Sequence, residues 1–231
     1  LKTGSEEWMR QVGERKKITR IEKPYLNKPR YHIYVDGEFL LSIHEDILVK
    51  YRLHKGMELD ESEIHEWLEA EEYNKVKQKA LHYLSYKPRT THEVKMYLGR
   101  KGFERETVEQ VILELEKSGF LNDLEFAKAW VNERQHHKGY GKRRLKQELL
   151  NKGMDPAVVD EALIHIGEED ERQLAISIAE RRYLRLCHES WPRIERRLGN
   201  YLVRQGFSMG VVYEVLNLFR ARHEEEKGNG P

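Results

Sequence analysis

The chain writes one phrase three times, and a repeat of that kind limits what it can fold into more than any other feature. Leu98, Lys101, Gly102 and Phe103 return as Leu149, Lys152, Gly153 and Met154, and again as Leu202, Gln205, Gly206 and Phe207. Apolar positions keep step with each glycine. Val94, Leu145 and Leu198 precede it; Val108, Val159 and Val212 follow, then Ile112, Leu163 and Leu216. The repeat length, about 50 residues, is that of one supersecondary unit too small to bury its own apolar face, so copies must stack and share a core. Stacked helical units offer long surfaces for large partners rather than deep pockets for small molecules.

Punctuation identifies the unit. Each glycine closes a run with apolar residues at helical spacing, where a helix stops most readily. Asp155-Pro156 and Ser208 offer helix starts, and Thr90 to Glu93 and Asn122 to Glu125 read as capping boxes or a near variant. Helices are expected over about 61–85, 91–101 and 105–118, then 123–138, 141–152 and 156–166, then 169–187, 191–205 and 209–222. Phe126, Trp130, Leu145 and Leu149 are expected in the core. Ahead of the helices, Ile18–Glu22 and Tyr31–Val35 alternate as strands do. Asp36-Gly37 then turns a hairpin into Glu38–Ile43, with a short helix over 45–52.

The fold class read from this is mainly α, with three tandem three-helix repeats in an elongated curved arrangement after a small N-terminal β-hairpin element. The expected divisions are a flexible 1–16, a β-rich 17–58, repeats over 59–120, 121–167 and 168–222, and a disordered tail over 223–231.

Charge is informative only in its distribution, because the net is +1. Residues 45–72 are acidic, whereas the centre of the middle trio, residues 128–152, carries Lys128, Arg134, Lys138, Lys142, Arg143, Arg144, Lys146 and Lys152 against Glu133 and Glu148. The last trio adds Arg181, Arg182, Arg185, Arg193, Arg196, Arg197 and Arg204, interleaved with Tyr183, Trp191 and Tyr201. Arginine suits bidentate contact with phosphate and carboxylate. A nucleic-acid or nucleoprotein footprint and a solvated helix face both fit this pattern. The one cysteine, Cys187, excludes an intramolecular disulfide and suits a reducing compartment. No apolar run approaches a membrane span and no signal peptide is visible, so the cytoplasm is the expected address.

Catalytic readings find little. His136-His137 beside Glu133 lacks a second ligand cluster with metal spacing. Gly139-x-Gly141 is too short for a dinucleotide loop and lies between helices. No phosphate-binding loop or nucleophile elbow occurs, and no cofactor or metal is expected.

Within Ser118–Ala127, Arg134 and Lys138–Gly153, the residues Gly119, Phe120, Leu121, Asp123, Phe126, Arg134, Gly139, Leu145, Leu149, Lys152 and Gly153 form a pattern. By that pattern the middle trio resembles the RecX family of RecA regulators. Asn122 stands where an aspartate is common, and Gln205 replaces lysine in the third phrase. The hairpin resembles the N-terminal extension of Gram-positive members. The resemblance implies a non-enzymatic regulator in recombination, repair and the SOS response. Such a protein binds RecA and its filament on single-stranded DNA and limits growth, ATP hydrolysis, strand exchange and co-protease activity. Candidate contacts for RecA or DNA, double-stranded DNA included, are Lys142, Arg143, Arg144 and Lys146, with Arg134, Lys138, Lys152, Arg181, Arg182, Arg185, Arg196, Arg197 and Arg204. Arg134 either braces the trio through Asp123 or reaches outwards. A stand-alone DNA-binding protein reading the major groove with the helix around 142–152 is the alternative. A monomer is expected.

Overall fold

A computed structural model describes residues 16–228. The N-terminal stretch expected to be flexible lies outside them except for Lys16, which opens a strand. The chain divides into two compact units, residues up to Ser85 with Leu98–Leu113, and Tyr86–Tyr97 with Glu114 onwards.

The first unit carries an antiparallel sheet of β1 (Lys16–Glu22), β2 (Arg30–Val35), β3 (Glu38–His44) and β4 (Glu58–Leu59), in the order β3-β2-β1-β4. Asp36 and Gly37, at φ 48° and 92°, make the hairpin turn that pairs Val35 with Glu38. Alternation places Ile18, Ile33, Val35 and Ile43 on one face, buried with Ile47, Leu53, Leu59, Ile64 and Trp67. The latter residues come from α1 (Glu45–Lys50), α2 (Glu61–Leu84) and the segment joining them. Asp60 and Glu63 form the reciprocal capping box that starts α2. Glu71 of α2, 2% exposed, ties helix to sheet: it accepts from Arg30 Nη2 at 2.6 Å and from the His44 N–H at 2.7 Å.

α3 (Thr91–Arg100) and α4 (Arg105–Lys117) have residues in both units. The second unit holds α5 (Asp123–Lys138), α6 (Lys142–Asn151) and α7 (Pro156–Leu163), then α8 (Glu168–Tyr183), α9 (Trp191–Gln205) and α10 (Met209–Gly228). The apolar positions that keep step with the glycines are all buried, from Val94 and Leu98 through Leu145 and Leu149 to Leu198 and Leu202. Three expectations need correction. Phe126 and Trp130 are only half-buried at the edge of the α5–α7 core, whereas Leu145 and Leu149 are fully inside it. The tail is helical to Gly228 rather than disordered from residue 223; residues 229–231 lie outside the described chain. His223 is buried against Tyr183, whose hydroxyl donates to Glu226 at 3.0 Å, and Arg222 reaches Glu180 and Glu226 at 2.8 Å. Burial, with the hydrogen bond to Glu226 second, pushes the Tyr183 hydroxyl up to about 12. α8 also stops at Tyr183, short of the expected 187, and residues 184–188 are turn.

Inside the second unit, the repeated phrase is the joint between successive repeats. The first N–H groups of a helix lack intrahelical partners, and here the next repeat supplies them. Asp123 of α5 accepts from the Thr91 N–H of α3 at 2.8 Å, and the Thr90 hydroxyl donates to the Lys152 carbonyl at 3.1 Å. One repeat on, Glu171 of α8 accepts from the Lys142 N–H of α6 at 3.1 Å, and the Gly206 carbonyl accepts from the Arg143 N–H at 3.1 Å. Each joint thus pairs an acid from the first helix of the later repeat with the lysine–glycine or glutamine–glycine step that ends its second helix. Gly141 N–H donates to the Gln205 carbonyl at 2.8 Å, and a Cβ at Gly141 would lie 2.7 Å from the Gly206 backbone. The glycines of Gly139-Tyr140-Gly141 therefore serve packing rather than ligand binding.

Candidate functional site

The structure separates the candidate cations into two groups. Arg134, Lys142, Arg144, Lys146, Lys152, Arg182 and Arg197 are engaged within the fold. Arg134 lies over the Trp130 ring at 4.1 Å and pairs with Glu133 at 3.1 Å and Glu148 at 3.4 Å. Its brace is thus Glu148 and not Asp123, which is occupied at the joint. Trp130 stacks on Phe126 and donates its indole N–H to Glu148 at 3.0 Å. Arg144 covers the Tyr140 ring at 3.7 Å, bonds the Tyr140 hydroxyl at 2.9 Å and reaches the Arg204 carbonyl at 3.1 Å. Lys142 Nζ approaches the Ile166 carbonyl at 3.5 Å, and Lys146 pairs with Asp160 at 2.5 Å. Arg182 lies over Tyr201, and Arg197 pairs with Glu189.

Lys152 pairs with Glu93 at 2.9 Å across the first joint. Burial works to raise the Glu93 carboxyl, but hydrogen bonds from Lys152 and the Thr90 N–H, with the Lys152 and Arg89 charges, hold it below its ordinary value. A carboxyl lowered by folding adds stability that is full above its unfolded pKa and is lost as pH falls through the folded one. Thermal melts should therefore show Glu93→Gln below the parent at neutral pH, with the gap narrowing as pH falls below the ordinary glutamate value of about 4.3. A gap that stays constant across that range would remove the assignment. Glu93 and Lys152 also line a cleft of about 420 Å³ with Lys87, Trp130, Glu133 and Arg134. Its cations face two carboxylates, so it carries little net field.

Lys138, Arg143, Arg181, Arg185, Arg196 and Arg204 are exposed. Among the described residues, their side chains have no hydrogen bond or ion pair within the fold. Arg193, outside the candidate set, behaves likewise. It lies with Arg196, Arg197 and Arg204 along the face of α9 opposite buried Ile194, Leu198 and Leu202. The second joint sets the Arg143 backbone two residues from Arg204, so the α9 stripe ends beside the start of α6. Among the described residues, no three His, Cys, Asp or Glu side chains group closely enough to hold a metal ion. Among them, too, no helix is long and apolar enough to cross a membrane.

This architecture is matched along most of its length by known proteins. Residues 16–60 match the model of the regulatory protein RecX N-terminal domain, and 77–115, 122–163 and 168–216 match the RecX first, second and third three-helix domains. A regulatory protein RecX of Clostridioides difficile is 32% identical over 87% of this chain and 94% of its own. The chain belongs to the RecX family. The Bacillus subtilis regulatory protein RecX is 32% identical over 90% of this chain and 79% of its own. A crystal structure of regulatory protein RecX superposes with a TM-score of 0.74 at 30% identity, covering 87% of this chain and 98% of that one. RecX from Lactobacillus salivarius, at 24% identity and a TM-score of 0.62 over 66% of this chain, shares the fold. The RecX family is one of regulatory proteins and not a known enzyme family.

Proposed function

We propose that this protein binds RecA and RecA–single-stranded DNA filaments as a monomer and restrains filament growth. ATP hydrolysis, strand exchange and co-protease activity in recombination and repair would fall as a result. The observation that carries this reading is the match, across an N-terminal domain and three helical domains, to a family of regulatory proteins whose resemblance implies RecA as the target. The unpaired cations suit a negatively charged partner such as a nucleoprotein filament. Several weak contacts spread over two repeats gain by effective concentration once the first has formed, and a clamp on more than one RecA protomer opposes the rearrangements that growth and turnover require.

The test is RecA with single-stranded DNA and ATP, read by ATP hydrolysis and strand exchange. Arg143→Glu with Arg204→Glu should raise the concentration for half-inhibition on the order of tenfold, a loss of about 1.4 kcal/mol, while melting stays with the parent. Equal inhibition by parent and variant would discard this surface, and no inhibition by the parent at any ratio would discard the function. Arg144 is unsuited to the test because its substitution disturbs the joint.

The reading of α6 as a helix in the major groove is disfavoured. Such a helix contacts base edges through its N-terminal residues, and the first turn of α6 is covered by Gln205 and Gly206. Of its four leading candidates, only Arg143 is unengaged.

A further inference from the structure

The first unit holds a cationic cleft outside the basic segments of the helical repeats. It has a volume of about 370 Å³ and lies between the start of β2, the end of β3 and one face of α2. Lys28, Arg30, Lys75 and Lys79 line it, with Glu71 as the one carboxylate. That carboxylate is already satisfied: it is buried, takes the Arg30 guanidinium at 2.6 Å and the His44 N–H at 2.7 Å, and stands 4.0 Å from Lys75 Nζ. Lys28 and Lys79 are exposed and, among the described residues, pair with no carboxylate. Lys28 and Lys79 therefore give the cleft positive charge that, among the described residues, no carboxylate balances. Lys28 also sits 4.8 Å over the ring of Tyr25, a residue that is 57% exposed.

We propose that this cleft takes the phosphates of a single DNA strand, with Tyr25 stacking on an adjacent base. One feature favours a nucleic acid over an acidic protein segment: an exposed aromatic ring beside a cationic groove is the arrangement that grips single strands without regard to sequence. The inference gives the DNA contact of the proposed function a second place, on the N-terminal unit, and its test contains no RecA, so the two readings can fail separately.

The experiment is fluorescence anisotropy of a labelled oligothymidylate with the full chain at several salt concentrations. Lys28→Glu with Lys79→Glu should weaken binding at least about tenfold. It should also flatten the dependence of log K on log salt, by roughly 0.7 for each phosphate that the variant no longer neutralises. Tyr25→Ala should weaken binding roughly fivefold or more. All three positions are exposed, so melting should match the parent. The proposal is overturned if the parent fails to bind the oligonucleotide or if the lysine variant binds as the parent does. It is overturned equally if that variant keeps oligonucleotide binding but loses binding to polyglutamate, which would assign the cleft to an acidic protein segment.

Discussion

Gly206→Ala is expected to cost about 2–4 kcal/mol, whereas Gly119→Ala should cost about 1 kcal/mol. Both glycines have positive φ, 93° and 74°, so both substitutions carry the strain of a side chain in the left-handed region. They differ in what a new Cβ meets. At Gly119 nothing lies within 4 Å; at Gly206 the Cβ would come to 2.3 Å from Arg144 Cβ and 2.5 Å from Arg144 N. Those atoms belong to the backbone and first carbon of α6, so they cannot swing away, and the joint must open. Opening it also removes the carbonyl that satisfies the Arg143 N–H. Denaturant melts of the two variants and the parent decide the matter. Equal losses would mean that the close approach at Gly206 contributes nothing beyond local strain.

The second large effect belongs to Glu71. Glu71→Ala should destabilise the N-terminal unit by about 2–4 kcal/mol, somewhat below the usual cost of breaking a buried pair because Arg30 retains access to solvent. Deleting the carboxylate strands the Arg30 guanidinium and the His44 N–H where sheet meets helix. Arg30 also bonds the Ser42 carbonyl at 2.7 Å and so keeps part of its coordination. A double-mutant cycle with Arg30→Met separates the pair from its surroundings: Glu71→Ala with Arg30→Met should cost less than the sum of the singles. Strict additivity, or a loss under about 1 kcal/mol for Glu71→Ala alone, would show that helix and sheet are held by apolar packing.

The helices are legible because their ends are written locally. Gly153 and Gly206 stop α6 and α9, Asp155 and Ser208 start α7 and α10, and Thr90 with Glu93 exchanges both hydrogen bonds of a capping box. Composition misjudges the final helix. His223-Glu-Glu-Glu-Lys227 looks solvated, while the contacts that order it come from Tyr183 and Glu180, some 40 residues upstream. The candidate site is harder to read for the same reason. Charges counted along residues 128–152 leave that stretch nearly without acids, but Lys152 finds Glu93, Lys146 finds Asp160, and Lys142 Nζ approaches the Ile166 carbonyl. A cation's availability is a tertiary property, so charge patterning finds the right neighbourhood without distinguishing Arg143 from Arg144. The N-terminal cleft escapes sequence reasoning because Lys75 and Lys79 follow a strongly acidic run. Folding turns the two lysines to line a cleft with Lys28, about 50 residues before Lys79 in the chain.

The direction of the joints bears on synthesis. Because each later repeat lends backwards an acid and a carbonyl of its lysine–glycine or glutamine–glycine step, a nascent chain halted before Gly206 would leave the ribosome with α6 uncapped at Arg143, however well α5–α7 had collapsed. Maturation of the middle repeat thus waits for the translation of the last.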